Sequence, residues 1–432
     1  MGLGLLGRGV GDAVFLAKAG ADLTVTDLKT EKELEKSVRQ LKKFKNIKFS
    51  LGGQQLEDFQ RADLIVKGAG VPLNSPFLEE AKKNGIEIAM STAFFVRHTD
   101  ALVVGVTGTR GKSTVTYLLY DIVQAHKKEL TQNTRKGVSV NDGKNAGKAF
   151  LGGNVLGVST LAMLPKAKVG DTAVLELDSW QLQGFDDFSP SVAVFTTFMP
   201  DHMNYYNNDL TLYFADKARI YRSQKPEDVL VVSEQVLAHI QNFGPKPAAR
   251  VVVARAGDVP KSWKIKIPGE HNRLNIALAM AAAKALEIPE ATIKKSVESF
   301  KSIPGRLELV RKYKGFEIYN ETNSTTPDAT LVGLEAFGKD KKTVLIFGGA
   351  DKKLDPAKLL STLPEYSKAV VVLPGTGTDT IKAELEKISG KISGKISGKT
   401  MEKTTGKLPV IFVKDMKEAV STAVGYAKKG DR

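Results

Sequence analysis

Short apolar runs recur along the chain, at Leu23–Thr26, Leu64–Val66, Ala101–Val106, Ala173–Leu177, Val192–Thr197, Val229–Val232, Arg250–Ala254, Thr343–Phe347, Ala369–Leu373 and Val410–Val413. Each is too short for a helix and most are continuously apolar, the pattern of strands buried on both faces. Between many of them apolar positions fall at helical spacing, as in Thr114–Ala125 and Asn272–Leu286. Strand then helix, repeated, predicts α/β architecture with mostly parallel sheets. Two breaks divide the pattern. One falls near Arg97–Asp100, before a new strand and glycine loop, and the other near Ser302–Arg306, at Ile303-Pro304-Gly305. They predict three domains: 1–97, 98–303 and 304–432. The tetrad Lys-Ile-Ser-Gly stands at 387–390, 391–394 and 395–398 and reads as a surface-loop expansion. The polar stretch Thr131–Lys148 reads as a second, mobile loop.

Composition narrows the class. With 42% hydrophobic and 26% charged residues in 432, the chain is neither disordered nor collagen-like. No apolar run approaches the ~20 residues of a membrane span, and Met1–Val10 lacks a signal-peptide pattern. Lys plus Arg exceeds Asp plus Glu by 63 to 48, a net +15, but the excess is spread along the chain. Its densest stretch, Lys391–Lys407, has no interleaved aromatics, so it reads as a solvated surface and no nucleic-acid partner is expected. A basic protein suits small anionic substrates such as nucleotides. The absence of cysteine excludes disulfides, thiolate metal sites and a cysteine nucleophile, and fits a reducing cytoplasm.

The strand Ala101–Val106 runs into Thr107-Gly108-Thr109-Arg110-Gly111-Lys112-Ser113-Thr114, and a helical pattern follows. Strand, glycine loop, helix is the order a phosphate cradle needs: glycines let the backbone curl its N–H groups inward, and the helix start adds partial positive charge. Lys112 can reach phosphates and Ser113 can ligate Mg²⁺. The spacing is tighter than GxxxxGK[ST], whose first glycine would fall on Val106. The plainer reading is a glycine-rich turn with an exposed lysine; the flanking strand and helix favour nucleotide binding.

Acidic strand ends supply candidate metal ligands. The strand toward Glu176 and Asp178 ends in carboxylates of the kind that hold Mg²⁺ beside a phosphate loop. The strand Val192–Thr197 leads to Asp201-His202, at the carboxyl end where α/β proteins keep their sites. Lys217 lies in an amphipathic helical stretch, Tyr213–Tyr221, and alone reads as a solvated helix lysine.

Taken in order, Thr107–Thr114, Leu151-Gly-Gly-Asn154, Leu175-Glu-Leu-Asp-Ser-Trp-Gln-Leu182, Asp201-His202, Asp216-Lys217-Ala-Arg219-Ile220, Gly269-Glu-His-Asn272-Arg-Leu-Asn275, Gly305-Arg306 and Phe347-Gly-Gly-Ala-Asp-Lys352 resemble the Mur ligases, the ATP-dependent amide-bond ligases of peptidoglycan precursor synthesis. The likeness spans nearly the whole chain. It is strongest to members that add D-glutamate to UDP-N-acetylmuramoyl-L-alanine. One reason is the amino end, where Gly2-x-Gly4-x-x-Gly7 is followed by Asp27, suggesting a dinucleotide-type domain for the uridine diphosphate moiety. The resemblance implies a Rossmann-like first domain, a central P-loop ATPase domain and a Rossmann-like last domain.

It also implies roles. Lys112 and the amides of Gly108, Thr109, Arg110, Gly111, Ser113 and Thr114 would hold ATP phosphates, with Asn272, Arg306 and Glu321 on the nucleotide. Ser113 and Glu176 would hold one Mg²⁺, and His202 with Lys217 a second, Lys217 being carbamylated; Lys112, Lys217 and His202 form the catalytic set. Asp27, Asn154, Thr325 and Lys352 would bind the other substrates. The expected reaction phosphorylates the alanyl carboxylate to an acyl phosphate, which the amine of D-glutamate attacks. A cytoplasmic monomer, with no membrane or nucleic-acid partner, is implied.

Three departures bear on this expectation. The chain begins at the glycine loop, where the family has a strand first, so that strand is expected to be missing. It stops just after a helix, where relatives continue into an amino-acid-gripping segment, so the last domain is expected to be truncated. Where D-glutamate-adding relatives carry Asn-Asp-Ser-Lys-Ala-Thr-Asn, the chain has Asn320-Glu321-Thr322-Asn323-Ser324-Thr325-Thr326. Glu321 keeps an acid, whereas Asn323 offers a neutral amide in place of a lysine. The alternatives are a ligase with another acceptor amino acid, and a nucleotide-binding protein without turnover.

Overall fold

The computed structural model describes residues 1–135, 146–155, 157–389 and 408–432. It has two compact units, one of Met1–Trp263 with Arg273–Val297 and one of Lys264–Asn272 with Glu298–Arg432. The Lys-Ile-Ser-Gly repeats beyond Ser389 and residues 136–145 of the polar stretch lie outside the described residues. Residues 131–135 of that stretch are helical rather than loop, because no glycine or proline interrupts the helix Lys112–Arg135. Among the described residues no helix is long and apolar enough to cross a membrane.

The first unit begins with β1 (Leu23–Asp27) and β2 (Ile47–Leu51), paired in parallel, then β3 (Leu64–Lys67) and β4 (Glu87–Met90), also parallel. Met1 and Gly2 lie between the pairs: the Met1 nitrogen donates to Val66 O at 2.9 Å and Gly2 N to Thr26 O at 2.8 Å. These residues therefore bond to β1 on one side and β3 on the other. The helix Arg8–Lys18 follows the glycine loop and buries Val10, Ala13 and Ala17 in a core with Leu3, Val25, Val38 and Leu41.

Six strands follow: β5 (Leu102–Thr107), β6 (Ala149–Gly153), β7 (Thr172–Glu176), β8 (Val192–Phe195), β9 (Val229–Ser233) and β10 (Arg250–Ala254). Their order is β10-β9-β8-β5-β7-β6, every neighbouring pair parallel. All residues of β7, β8 and β9 are buried, which is why these strands read as unbroken apolar runs. The chain passes from β7 across β5 to β8, so the order reverses beside β5. Crevices at the carboxyl ends of strands at such a reversal are where α/β sheets take ligands.

The second unit opens with an antiparallel hairpin, β11 (Glu308–Tyr313) and β12 (Phe316–Asn320). Lys314 and Gly315, with φ 47° and 85°, make its turn, both left-handed as a two-residue hairpin demands. A parallel sheet of β13 (Thr343–Phe347), β14 (Ser367–Val372) and β15 (Val410–Phe412) follows, packed on Leu331, Leu334, Leu363 and Leu385.

Candidate active site

The loop after β5 turns on two glycines. Gly108 has φ 142°, and a Cβ there would come 2.0 Å from Thr196 Oγ1; Gly111 has φ 86°, and a Cβ there would come 2.3 Å from Asn275 Oδ1. A side chain is strained at both by the positive φ, and at Gly108 it also meets the backbone of Thr197, 3.0 Å from its N and 3.1 Å from its O. The segment after β8 holds the loop. Thr109 N donates to Thr197 O at 2.7 Å, Arg110 N to Thr197 Oγ1 at 2.9 Å, and the Thr196 hydroxyl to Thr107 O at 3.1 Å and to Arg110 O. Thr109 Oγ1 donates to Met199 O at 3.1 Å. The helix Lys112–Arg135 starts directly from this curl, which places Ser113 and Thr114 in its first turn.

Two lysines meet at one carbonyl oxygen. Lys112 Nζ donates to Gly108 O at 3.0 Å and to Thr109 O at 3.1 Å. Lys217 Nζ, carried in by the helix Leu210–Arg222, donates to the same Gly108 O at 2.9 Å. Lys217 is therefore no solvated helix lysine: it is 1% exposed and lies over the ring of Tyr213, one turn earlier. Burial, and then the charge of Lys112, push its ammonium well below the usual lysine range, against the opposing pull of Asp178, Asp201 and Asp216. A lysine so shifted sheds its proton readily, and a neutral amine is the form that can add carbon dioxide.

Acids and an imidazole border the loop. Glu176, buried, ends β7 in register with Val106 of β5 and Gly153 of β6. Asp178 caps the short helix Ser179–Leu182 by accepting from Gln181 N. Asp201 pairs with Arg110 at 3.4 Å. His202, next along the chain with φ 54°, sits against Trp180 with ring centroids 4.8 Å apart. Among the described residues no three His, Cys, Asp or Glu side chains converge tightly enough to hold a metal alone. The Ser113 hydroxyl and the Glu176 carboxylate are hard oxygen donors of the kind Mg²⁺ takes, and the His202 imidazole is a softer nitrogen donor; an ammonium cannot ligate, so Lys217 would suit such a set only as an anion.

The other predicted residues fall into two groups. Asn154 directly follows β6: its N donates to Glu176 O at 2.7 Å and its Oδ1 accepts from Arg8 at 2.9 Å. Asp27 ends β1, and its two oxygens accept from Gly4 N at 2.8 Å and Lys29 N at 2.9 Å, so the carboxylate shapes the glycine loop. In the second unit, Asn272 donates from Nδ2 to Pro268 O at 2.7 Å. There Glu321 accepts from Leu307 N and faces Arg306, burial raising its carboxyl against those two. Asn323 donates from Nδ2 to Pro304 O at 3.0 Å, so this amide fastens the Gly305-Arg306 turn. Thr325 follows in the same loop before the helix Pro327–Glu335, and Lys352 lies in the loop after β13.

Arg8, Thr196, Thr197 and Tyr213 escaped the sequence reading. Tyr213 carried a signal, its i,i+4 spacing from Lys217. The paired threonines closing the β8 run carried another, as polar residues at a buried strand's carboxyl end.

The sequence matches three family descriptions: Mur ligase MurD-like, N-terminal domain, over residues 1–90; Mur ligase middle domain, over 106–258; and Mur ligase, glutamate ligase domain, over 305–432. The UDP-N-acetylmuramoylalanine--D-glutamate ligase of Roseiflexus sp. (strain RS-1) is 33% identical, the match covering 90% of this chain and 85% of that one. The protein of the same name from Borreliella afzelii (strain PKo) is 32% identical over the same shares. Among solved structures, the UDP-N-acetylmuramate-alanine ligase of Thermotoga maritima superposes with a TM-score of 0.53 at 19% identity, covering 98% of this chain and 97% of that one. MurF from Acinetobacter baumannii gives 0.53 at 17% identity, covering 85% of each. At such identities the structures speak for the fold.

Proposed function

The chain belongs to the Mur ligase family, and we propose from this premise that it is the ATP-dependent ligase that joins D-glutamate to UDP-N-acetylmuramoyl-L-alanine in peptidoglycan precursor synthesis. The observation that carries the reading is the meeting of Lys112 and Lys217 at Gly108 O, inside a loop whose amides curl at the carboxyl end of β5. In this reading ATP phosphorylates the alanyl carboxylate, and the amine of D-glutamate displaces phosphate from the acyl phosphate. Lys112 and the amides of Gly108–Thr114 hold the phosphates and offset charge on the transferring group. Ser113 and Glu176 would hold one Mg²⁺, and His202 with a carbamylated Lys217 another; the metal would supply further positive charge at the phosphoryl oxygens. Carbamylation joins the neutral Nζ to carbon dioxide and releases a proton, turning a repelled ammonium into an anionic oxygen donor.

Residues 1–97 would take the uridine diphosphate part, with Asp27 shaping its loop and Asn154 meeting the muramoyl part; 98–303 would take ATP, and 304–432 the amino acid. Asn272, Arg306 and Glu321 are assigned to the adenine nucleotide, and Thr325 and Lys352 to the incoming amino acid. The protein works, in this reading, as a cytoplasmic monomer.

The test is phosphate release by the purified chain with ATP, Mg²⁺, UDP-N-acetylmuramoyl-L-alanine and a panel of acceptors. Release that needs the muramoyl substrate, D-glutamate and the metal together is expected. Release with L-amino acids alone, or with no acceptor, would overturn the assignment.

A further inference from the structure

The bond between Arg8 and Asn154 joins residues 146 positions apart in sequence. Arg8 is the first residue of the helix Arg8–Lys18, directly after Gly7 of the glycine loop. Asn154 directly follows β6, where its N is fixed to Glu176 O at 2.7 Å. A guanidinium only donates hydrogen bonds. The acceptor facing Arg8 NH1 must therefore be the amide oxygen of Asn154, and its NH₂ group points elsewhere. Arg8 thus sets which end of this amide is offered to a ligand.

The contact is built into the packing. Arg8, Gly11 and Asp12 stand at i, i+3 and i+4, on one helix face. That face rests on the segment after β6. A Cβ on Gly11 would come 2.4 Å from Ser159 Cβ, and one on Gly7 would come 3.8 Å from Gly157 Cα. Asp12 Oδ1 accepts from Ser159 Oγ at 2.6 Å and from Ser91 Oγ at 2.9 Å. The glycine loop and Asn154 are held as one piece, and the arginine spans them.

We propose that Arg8 is a positioning residue for the ligation: it locks the Asn154 amide so that Nδ2 donates to an acceptor oxygen, carbonyl or carboxylate, of the muramoyl-alanine substrate. The proposal rests on the function proposed above. Without Arg8 the amide can rotate and offer its oxygen to that acceptor, replacing an attraction by a repulsion. In the reading proposed above the residue would also couple two parts of one substrate, the uridine diphosphate assigned to the domain its loop belongs to and the muramoyl part assigned to Asn154.

The experiment is steady-state phosphate release by the full chain, with KM measured for each of the three substrates. Arg8→Ala and Asn154→Ala should each raise KM for UDP-N-acetylmuramoyl-L-alanine about tenfold, the weight of one charge-assisted hydrogen bond. KM for ATP and for D-glutamate should stay unchanged. The double variant should be no worse than the poorer single, because both changes remove the same contact. Arg8→Lys, which still donates, should recover part of the loss. Asn154→Asp keeps the oxygen for Arg8 but loses the NH₂, and should be as poor as Asn154→Ala.

Losses that multiply in the double variant, a normal KM in Arg8→Ala, or a normal KM in Asn154→Asp would overturn the proposal. Equal rises in all three KM values would show a merely structural role and overturn it too. A wild-type chain with no release dependent on the muramoyl substrate would sink the functional reading and this proposal with it, whereas an active wild type with multiplying losses sinks the proposal alone.

Discussion

Gly108→Ala tests the phosphate loop at its tightest point. The backbone there has φ 142°, and the new Cβ would stand 2.0 Å from Thr196 Oγ1, 3.0 Å from Thr197 N and 3.1 Å from Thr197 O. The threonine backbone cannot retreat freely, because Thr196 N donates to Thr107 O at 2.9 Å and Thr197 O accepts from Thr109 N at 2.7 Å. Relief must come from turning the Thr196 hydroxyl away, which breaks its bonds to Thr107 O and Arg110 O. Each of those contributes about 1 kcal/mol, and the alanine's own backbone strain costs about 1–3 kcal/mol. The stiffer unfolded chain offsets up to about 1 kcal/mol of this in the stability, and does not enter the affinity. The loop therefore distorts, at a cost of about 3 kcal/mol, to reach its phosphate-binding shape, which corresponds to roughly a hundredfold loss of ATP affinity. Calorimetric titration with ATP reads the affinity, and urea unfolding reads stability separately. Adding Thr196→Ala to Gly108→Ala removes the closest clash and should return part of the affinity. A Gly108→Ala chain that binds ATP within threefold of wild type would refute the reasoning.

Two further outcomes follow from other groups. Lys112→Met should leave the fold intact and lower the phosphate-release rate by about 10²–10³, the usual loss for one preorganised charge donor; a fall under tenfold would remove Lys112 from the chemistry. Asp12 has its carboxyl raised by burial, against the bonds from Ser159 and Ser91. The unfolded carboxyl titrates near about 3.9, so between that and the folded value the folded state holds the extra proton and stability falls as pH rises. Asp12→Asn keeps an oxygen for both serines and removes the charge. It should match wild type near pH 3 and gain on it toward pH 7 in urea unfolding; a gain that is independent of pH would contradict the assignment.

The apolar strands of the central sheet were legible because both their faces are covered, leaving no polar alternation to confuse. β2 and β4 were not, since Lys48, Ser50 and Glu87 break short strands with one partner each. β6 is absent from the predicted strands, because Gly152 and Gly153 end it; a Cβ on Gly153 would come 2.0 Å from Glu176 O, so close approach to β7 requires the glycine. The hairpin of β11 and β12 is hidden by Arg311, Lys312 and Glu317, which belong to a two-stranded ribbon exposed along β11 and half-buried along β12 rather than to a core sheet. In the site, the phosphate loop is contiguous and announces itself. The convergence of Lys217 on Gly108 spans 109 positions and depends on how a helix packs, which no local pattern encodes.

The position of β5 in the middle of its sheet has a consequence for biosynthesis. Its neighbours, β7 and β8, are made 65 or more residues later, and the helix bearing Lys217 later still. A nascent chain that has just emitted Lys112 therefore owns the letters of the cradle but not its walls. Phosphate affinity should appear abruptly, once the ribosome has released the segment through Arg222, and nucleotide can assist folding only from that moment onward.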